Sequence, residues 1–195
     1  MTSQHTNKSE LLNATLVGSR DAPPTPDVQL KVLQAANKIA KELVRRKAKG
    51  WSGGATGMDQ IWRKLYIKHG GEELFCQLLP WQGFEQFYED GKNNFLLDDF
   101  MNLFAYNTLC DCGVVWLNKL SQGIRKLYQR NVYQILLPDY SKTDVVFYYA
   151  PVNKHGKPRG GTAIAIRLAE SLGIPTFNLG EPDQRKAALE YLEIA

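Results

Sequence analysis

Short apolar runs recur along the chain, and most of them are followed by a loop and then by a segment with helical periodicity. Runs of this length, rich in β-branched and aromatic residues and bounded by turn residues, predict strands. The most regular run holds Phe147, Tyr148 and Tyr149 directly after two valines. The predicted strands cover residues 11–17, 48–51, 74–79, 144–150 and 174–179.

The first helical segment shows the clearest amphipathic pattern. It is expected to begin near Asp27, which is a suitable N-cap. Lysines and arginines lie largely off its apolar stripe, as expected either for a solvated face or for a nucleic-acid-binding stripe. The stripe advances in steps of three and four residues, the spacing of one helix face: Val32, Leu33, Ala36, Ile39, Ala40, Leu43 and Val44. Further helices are predicted over residues 58–69, 162–172 and 183–194.

The repeated order of strand, loop and helix predicts parallel βαβ units. The expected fold class is therefore α/β, a Rossmann-like doubly wound, mainly parallel sheet with helices on both faces. Residues 1–13 are predicted to form a flexible tail and residues 14–195 a single domain. Residues 81–130 are expected to be a helical, aromatic-rich insertion, with helices around 98–106 and 114–128. The segment 132–137 fits either a strand or a helix end.

Composition narrows the class of protein. Hydrophobic residues make up 44% and charged residues 23% of the chain, as in ordinary globular domains. The net charge of +4 is compatible with an anionic ligand and is mild for a dedicated DNA-binding domain. The three cysteines, two of them in a Cys-x-Cys pair, indicate reduced thiols rather than a disulfide framework or a metal site. With no apolar leader or membrane span, a cytoplasmic protein without metal or cofactor is expected.

Three glycine-containing loops follow predicted strands, at residues 18–20, 52–59 and 154–162. In an open parallel sheet, ligands bind in the crevice beyond the carboxyl ends of the strands, so these loops are expected to converge. Glycines in the middle loop allow close approach of a phosphate to backbone N–H groups, and helix starts favour anions. A tight strand-to-helix turn without a ligand would need similar residues. The candidate ligand-binding residues are Gly18, Ser19, Arg20, Ser52, Gly53, Gly54, Ala55, Thr56, Gly57, Asp59, Arg159, Gly160, Gly161 and Thr162.

Individual side chains in these loops suggest roles. Asp59 stands where it either caps the following helix or accepts a hydrogen bond from a ribose hydroxyl. Arg159 supplies a guanidinium suited to phosphate oxygens. The acid–base candidates are His155, Glu85 and Glu89, although residues of these types in a loop are more often simply solvated. No Ser-His-Asp pattern and no Gly-x-x-x-x-Gly-Lys-Ser/Thr phosphate loop is present.

Taken together, these motifs resemble the SLOG superfamily, in particular the DNA-processing protein A branch and its YspA-like and YpsA-like relatives. The resemblance rests on Gly18–Ser19–Arg20 after the first strand, on the Gly-Gly-Ala-x-Gly-x-Asp loop, and on Gly161–Thr162–Ala163. It spans residues 15–67 and 143–180 and is weak across 81–130. It implies a Rossmann-like fold with a pocket for nucleotides or nucleotide-derived ligands.

The superfamily contains ligand sensors, single-stranded DNA binders and phosphoribohydrolases of the Lonely-Guy type. The hydrolases share a Pro-Gly-Gly-x-Gly-Thr-x-x-Glu pattern, and the matching stretch here ends in Ala165 instead of glutamate. The resemblance therefore favours a protein that senses or sequesters a nucleotide, an ADP-ribose-like molecule or a cyclic-nucleotide signal, and that need not be an enzyme. A homo-oligomer is a further expectation, because Rossmann-like domains with this many aromatic residues often bury some of them in a dimer.

Two alternative functions remain open from the sequence. One is a hydrolase or transferase that acts on an N-glycosidic bond of nucleotides, with Glu85, Glu89, Asp59 or His155 as the acid–base group. The other is a factor like DNA-processing protein A that binds single-stranded DNA, a nucleic-acid partner that the mild charge does not favour. The basic residues expected to carry that binding are Arg45, Arg46, Lys47 and Lys49.

Overall fold

The computed structural model describes residues 12–21, 23–114 and 116–195. It contains the strands β1 (Asn13–Gly18), β2 (Lys49–Ser52), β3 (Phe75–Leu79), β4 (Asn94–Leu96), β5 (Val145–Tyr149) and β6 (Thr176–Asn178). The helices are α1 (Pro26–Arg45), α2 (Met58–Lys68), α3 (Asp99–Asp111), α4 (Gln122–Leu136), α5 (Thr162–Ser171) and α6 (Pro182–Tyr191). Short 3-10 turns at Glu72–Leu74 and Leu117–Lys119 complete the order.

The six strands form one sheet in the order β4-β3-β2-β1-β5-β6, and all neighbouring strands are parallel. The chain moves outward from β1 to β4 and then returns to the other side of β1 with β5. This reversal between β1 and β5 is the topological switch point of a doubly wound sheet. The predicted α/β, Rossmann-like fold class is therefore confirmed.

Helices cover both faces of the sheet. Alternate residues of β5 show why, because Val145 and Phe147 pack into the core on the α1, α2 and α6 face, whereas Val146 and Tyr148 pack on the α3, α4 and α5 face. A parallel strand buried on both faces has apolar side chains at successive positions. This explains why residues 144–150 form the most regular run in the sequence.

The start of α1 differs from the prediction. Thr25 is the N-cap, its side chain accepts a hydrogen bond from the backbone N–H of Val28, and Pro26 occupies the first helical turn. Proline suits that position because its missing N–H would have no partner there. Asp27 lies inside the helix and pairs with Lys31 at 2.8 Å, so the prediction of Asp27 as the cap was wrong.

Residues 81–130 contain the two helices α3 and most of α4, as well as the edge strand β4, which the sequence pattern did not predict. β4 has three residues, too few to show alternation, and its Asn94 amide oxygen accepts from Gln77 on β3 at 2.9 Å. Residues 132–136 belong to α4, which resolves the ambiguity of that segment in favour of a helix end. Of the predicted flexible tail, residues 1–11 lie outside the described part of the chain, and Asn13 already belongs to β1.

Candidate functional site

A cavity of about 350 Å³ opens at the carboxyl edge of the sheet, at the switch point between β1 and β5. The loop after β1 continues into α1 on one face, and the loop after β5 continues into α5 on the other face. The two loops therefore separate and leave a crevice between them. The predicted convergence of the first and third glycine loops is seen at this place.

Three parts of the chain form most of the cavity wall. The loop after β1 contributes one side, the start of α5 contributes the opposite side, and one face of α4 closes the third side. The lining residues are Val17, Gly18, Ser19, Arg20, Asp21, Ala55, Asp59, Leu127, Tyr128, Arg130, Asn131, Gln134, Arg159, Gly160, Gly161 and Thr162. The α4 residues among them were not candidates in the sequence analysis.

The middle glycine loop is covered by the protein itself. Residues 52–55 are buried, and the guanidinium of Arg130 lies directly over Gly53, where a Cβ would come within 0.9 Å of Arg130 Nη1. Backbone donors of this loop are used internally, since the N–H of Ala55 donates to Asp59 Oδ2 at 3.3 Å and that of Met58 donates to the Ser19 carbonyl at 3.2 Å. Of residues 52–59, Ala55 and Asp59 line the cavity.

The other members of the middle loop lie apart from the cavity lining. Ser52 is fully buried, and a Cβ built on Gly54 would lie 3.4 Å from Phe87 Cδ2. Thr56 is exposed and donates to Glu85. Gly57 has a φ of +99° and packs so closely on the first loop that a Cβ would lie 2.7 Å from the Arg20 Cα. Glycine at 57 therefore serves the contact between two loops.

Asp59 and Arg130 form a buried ion pair at the base of the cavity. Arg130 Nη1 lies 3.6 Å from Asp59 Oδ2, and each side chain is 5% exposed. Asp59 also accepts hydrogen bonds from the N–H of Gly18 at 3.1 Å and from the N–H of Ala55. It therefore joins the loops after β1 and β2.

The low-dielectric surroundings shift the ionisation of both partners. Burial raises the pKa of the Asp59 carboxyl, and the charge of Arg130 together with backbone N–H donors opposes that rise. Burial lowers the pKa of the Arg130 guanidinium, and the Asp59 charge opposes that change. The Nε of Arg130 has no hydrogen-bond partner among the described residues. A buried cation with an unused donor thus borders the cavity.

Two amides on α4 tie this pair to the rest of the site. With its oxygen facing donors, the Gln134 amide accepts from Gly53 N at 3.0 Å and from Arg130 Nη1 at 3.1 Å, and it donates to Asn131 Oδ1 at 3.0 Å. Asn131 Nδ2 donates to the Gly161 carbonyl at 2.9 Å. One face of α4 therefore holds the middle loop and the start of α5 at the same time.

The opposite end of the cavity can hold an anion. Arg20 and Arg159 border it with largely exposed side chains, and α5 begins there at Thr162 without a side-chain cap. The N–H groups of Ala163 and Ile164 already donate to the carbonyls of Gly160 and Gly161, at 3.2 and 3.1 Å. The two guanidinium groups and the positive end of the helix dipole are therefore what attract an anion here. Glu85 Oε1 lies 3.9 Å from Arg20 Nη2 and competes with an anion for that guanidinium.

Three of the four acid–base candidates, His155, Glu85 and Glu89, lie outside this cavity. His155 and Glu89 are exposed, and neither belongs to its lining. Glu85 lines a neighbouring pocket with Thr56 and Arg63. The carboxylates that line the cavity are Asp21 and Asp59. In the described ranges, no group of three or more His, Cys, Asp or Glu side chains is arranged to hold a metal ion.

The basic residues proposed for single-stranded DNA lie at the opposite end of the strands from the cavity, near the start of β2. Arg45 and Arg46 pair with Glu42 at the end of α1, at 2.6 and 2.7 Å, and Lys49 is the first residue of β2. The cavity lies beyond the carboxyl ends of the strands. These basic residues therefore cannot contact a ligand in the cavity.

Within the described part of the chain, no helix combines the length and the apolar composition needed to cross a membrane.

Comparison with known proteins supports the fold. No protein-family model and no curated protein sequence matches the chain. Among solved structures, the chain is similar to DNA processing protein A from Helicobacter pylori, which was described for its single-stranded DNA binding mode. The TM-score is 0.51 at 21% identity, and the match covers 96% of this chain and 76% of that chain. This likeness shows the shared Rossmann-like fold.

Proposed function

We propose that the cavity binds a nucleotide or a nucleotide-derived small molecule, with the phosphate at the start of α5. The observation that carries the proposal is one cavity at the switch point bordered by three arginines, Arg20, Arg130 and Arg159, against two aspartates. Guanidinium groups together with the positive end of the α5 helix dipole favour a phosphate. The volume lies near the lower end of the roughly 300–1,000 Å³ typical of ligand pockets, which suits a mononucleotide better than a dinucleotide.

Two features of the site favour a protein that holds its ligand over one that cleaves it. Asp59 is occupied by Arg130 and by two backbone donors, so it is poorly placed to exchange protons with a ligand. Ala165, which stands at the glutamate position of the hydrolase pattern, is fully buried in the apolar core. A sensor or sequestering protein fits these features. Its location in the cytoplasm and its homo-oligomeric state remain predictions from the sequence.

Isothermal titration with nucleoside mono- and diphosphates, ADP-ribose and cyclic nucleotides tests this proposal. Arg159→Ala is expected to weaken phosphate-dependent binding about tenfold, the loss of one charge-assisted hydrogen-bond partner. Arg167→Ala, which removes an exposed arginine of α5 outside the cavity lining, is the matched control and should leave the affinity unchanged. Absence of binding for every compound in the series would refute the proposal, and chromatography of the same mixtures would reveal any released base.

A second candidate is single-stranded DNA, and the observation that favours it is the fold likeness to DNA processing protein A. Arg20 is 57% exposed on the cavity rim, and the adjacent pocket carries Arg63 and Lys64. A strand could pass from one pocket to the other along these cations. Fluorescence anisotropy with an oligothymidylate should then show binding that weakens steeply between 50 and 200 mM salt, as for several phosphate contacts. No binding at 50 mM salt would exclude this candidate.

A further inference from the structure

The face of α4 in the cavity changes its chemical character along the helix. Its last lining residues, Arg130, Asn131 and Gln134, are polar and belong to the buried network. Its first lining residues, Leu127 and Tyr128, are apolar or aromatic. Spacings of one, three, four and seven residues along a helix place all five side chains on one side of it. The part of the cavity wall formed by α4 is therefore polar towards the end of the helix and apolar towards its start.

The position of Tyr128 relative to the phosphate end is defined by α5. A Cβ built on Gly161 would lie 3.9 Å from Tyr128 Cε1, an ordinary van der Waals contact. The Tyr128 ring therefore borders the turn that precedes Thr162, the first residue of α5. Trp116 packs edge-on against the same ring, with centroids 5.8 Å apart and an interplanar angle of 78°. The ring is thus braced on one side while it lines the cavity.

We propose that Tyr128 stacks on the base of the bound nucleotide and so makes the cavity selective for ligands that carry a nucleobase. This inference rests on the proposed function, because it assumes a phosphate at the start of α5. Arginines and a helix dipole attract phosphate but cannot distinguish a nucleotide from a sugar phosphate. An aromatic face beside the phosphate end supplies that distinction, since every base has a π-face and a bare sugar has none.

The ring of Tyr128, rather than its hydroxyl, is the part expected to contact the base, because apolar residues line the cavity with it. Leu127 and Val17 line the same cavity and add apolar surface. Stacking on such a wall depends on the ring face and therefore tolerates loss of the hydroxyl. Tyr128→Phe should retain binding, whereas Tyr128→Leu keeps much of the apolar volume and removes the π-face. Leucine is compatible with the helix and should preserve α4.

The test compares two probes by isothermal titration: the tightest binder among AMP, GMP, CMP and UMP, and ribose 5-phosphate. Tyr128→Leu is expected to weaken nucleotide binding about 5- to 150-fold, the range for loss of one base-stacking contact. Its affinity for ribose 5-phosphate should stay within about twofold of the wild type, which also reports that the variant is folded. Tyr128→Phe should bind the nucleotide within about twofold of the wild type.

A matched control is Tyr88→Leu, which removes a 63% exposed tyrosine outside the cavity lining and should change neither affinity. The inference is wrong if Tyr128→Leu binds the nucleotide as well as the wild type, or if both probes lose affinity in the same proportion. It is also wrong if the phenylalanine variant is as weak as the leucine variant. Failure of the proposed function looks different, because the wild type would then bind neither these five compounds nor the diphosphates, ADP-ribose and cyclic nucleotides of the first titration series.

Discussion

Replacement of Asp59 by asparagine is expected to destabilise the fold by about 3–5 kcal/mol, because it leaves the Arg130 guanidinium buried without a counter-ion. Both side chains are 5% exposed and 3.6 Å apart, so solvent cannot compensate the lost charge. Asparagine also has one acceptor oxygen, whereas Asp59 uses two oxygens for the N–H groups of Gly18 and Ala55. The expected loss is a large fraction of the roughly 5–15 kcal/mol that holds a typical domain folded.

A double-mutant cycle separates the ion pair from the other contacts. Arg130→Met removes the cation and keeps a long apolar side chain over Gly53, and the double variant Asp59→Asn/Arg130→Met buries no charge at this place. We expect the double variant to be more stable than the sum of the two single losses predicts, by about 1–3 kcal/mol. Urea denaturation followed by circular dichroism gives the four free energies of unfolding.

Asp27→Asn is the control for this cycle. Asp27 pairs with Lys31 on the exposed face of α1, where both side chains are more than half exposed, so the change should be about 0.5 kcal/mol or less. A loss below about 1 kcal/mol for Asp59→Asn, or strictly additive losses in the cycle, would show that the pair does not hold the two loops together.

Three further outcomes are expected. Glu85→Gln removes the carboxylate that competes for Arg20 and should tighten nucleotide binding about two- to fivefold in isothermal titration, and weaker binding would contradict the assigned competition. The pKa of Glu42 is lowered from 4.5 to about 2, mainly by the hydrogen bond from Arg45. Ionised Glu42 therefore stabilises the folded state above pH 4.5, and this contribution fades as the pH falls towards 2. The stability gap between wild type and Glu42→Gln, roughly 1 kcal/mol at pH 7, should shrink over that range in urea titrations. Burial raises the pKa of the Cys76 thiol to about 11, so iodoacetamide at pH 8 should label it more slowly than the other two cysteines, and equal rates in the native protein would contradict this.

The sequence determined the fold class because the fold depends on periodicity, which is local. Short apolar runs identified five of the six strands, and stripes with helical spacing identified the helices between them. The order of strand and helix then required parallel crossovers. The parallel arrangement then required the first and third glycine loops to meet at one edge, and both line the cavity. β4 escaped prediction because Asn94–Leu96 lies in the aromatic-rich segment that was expected to be helical, whereas the equally short edge strand β6 lies within the predicted run 174–179.

The tertiary structure decided what those loops do. Gly53 was expected to leave its backbone open to a phosphate, yet Arg130 from α4 occupies the space beside it. Nothing in a local pattern links the two residues, because the contact depends on how the inserted helices fold back over the sheet. In the sequence, a stripe of polar residues on α4 resembles a solvated helix face: Arg130, Asn131 and Gln134. Only the packing of α4 against the loops buries these residues and makes them part of the cavity wall. Local periodicity thus fixed where the site lies, and long-range packing fixed which residues form it.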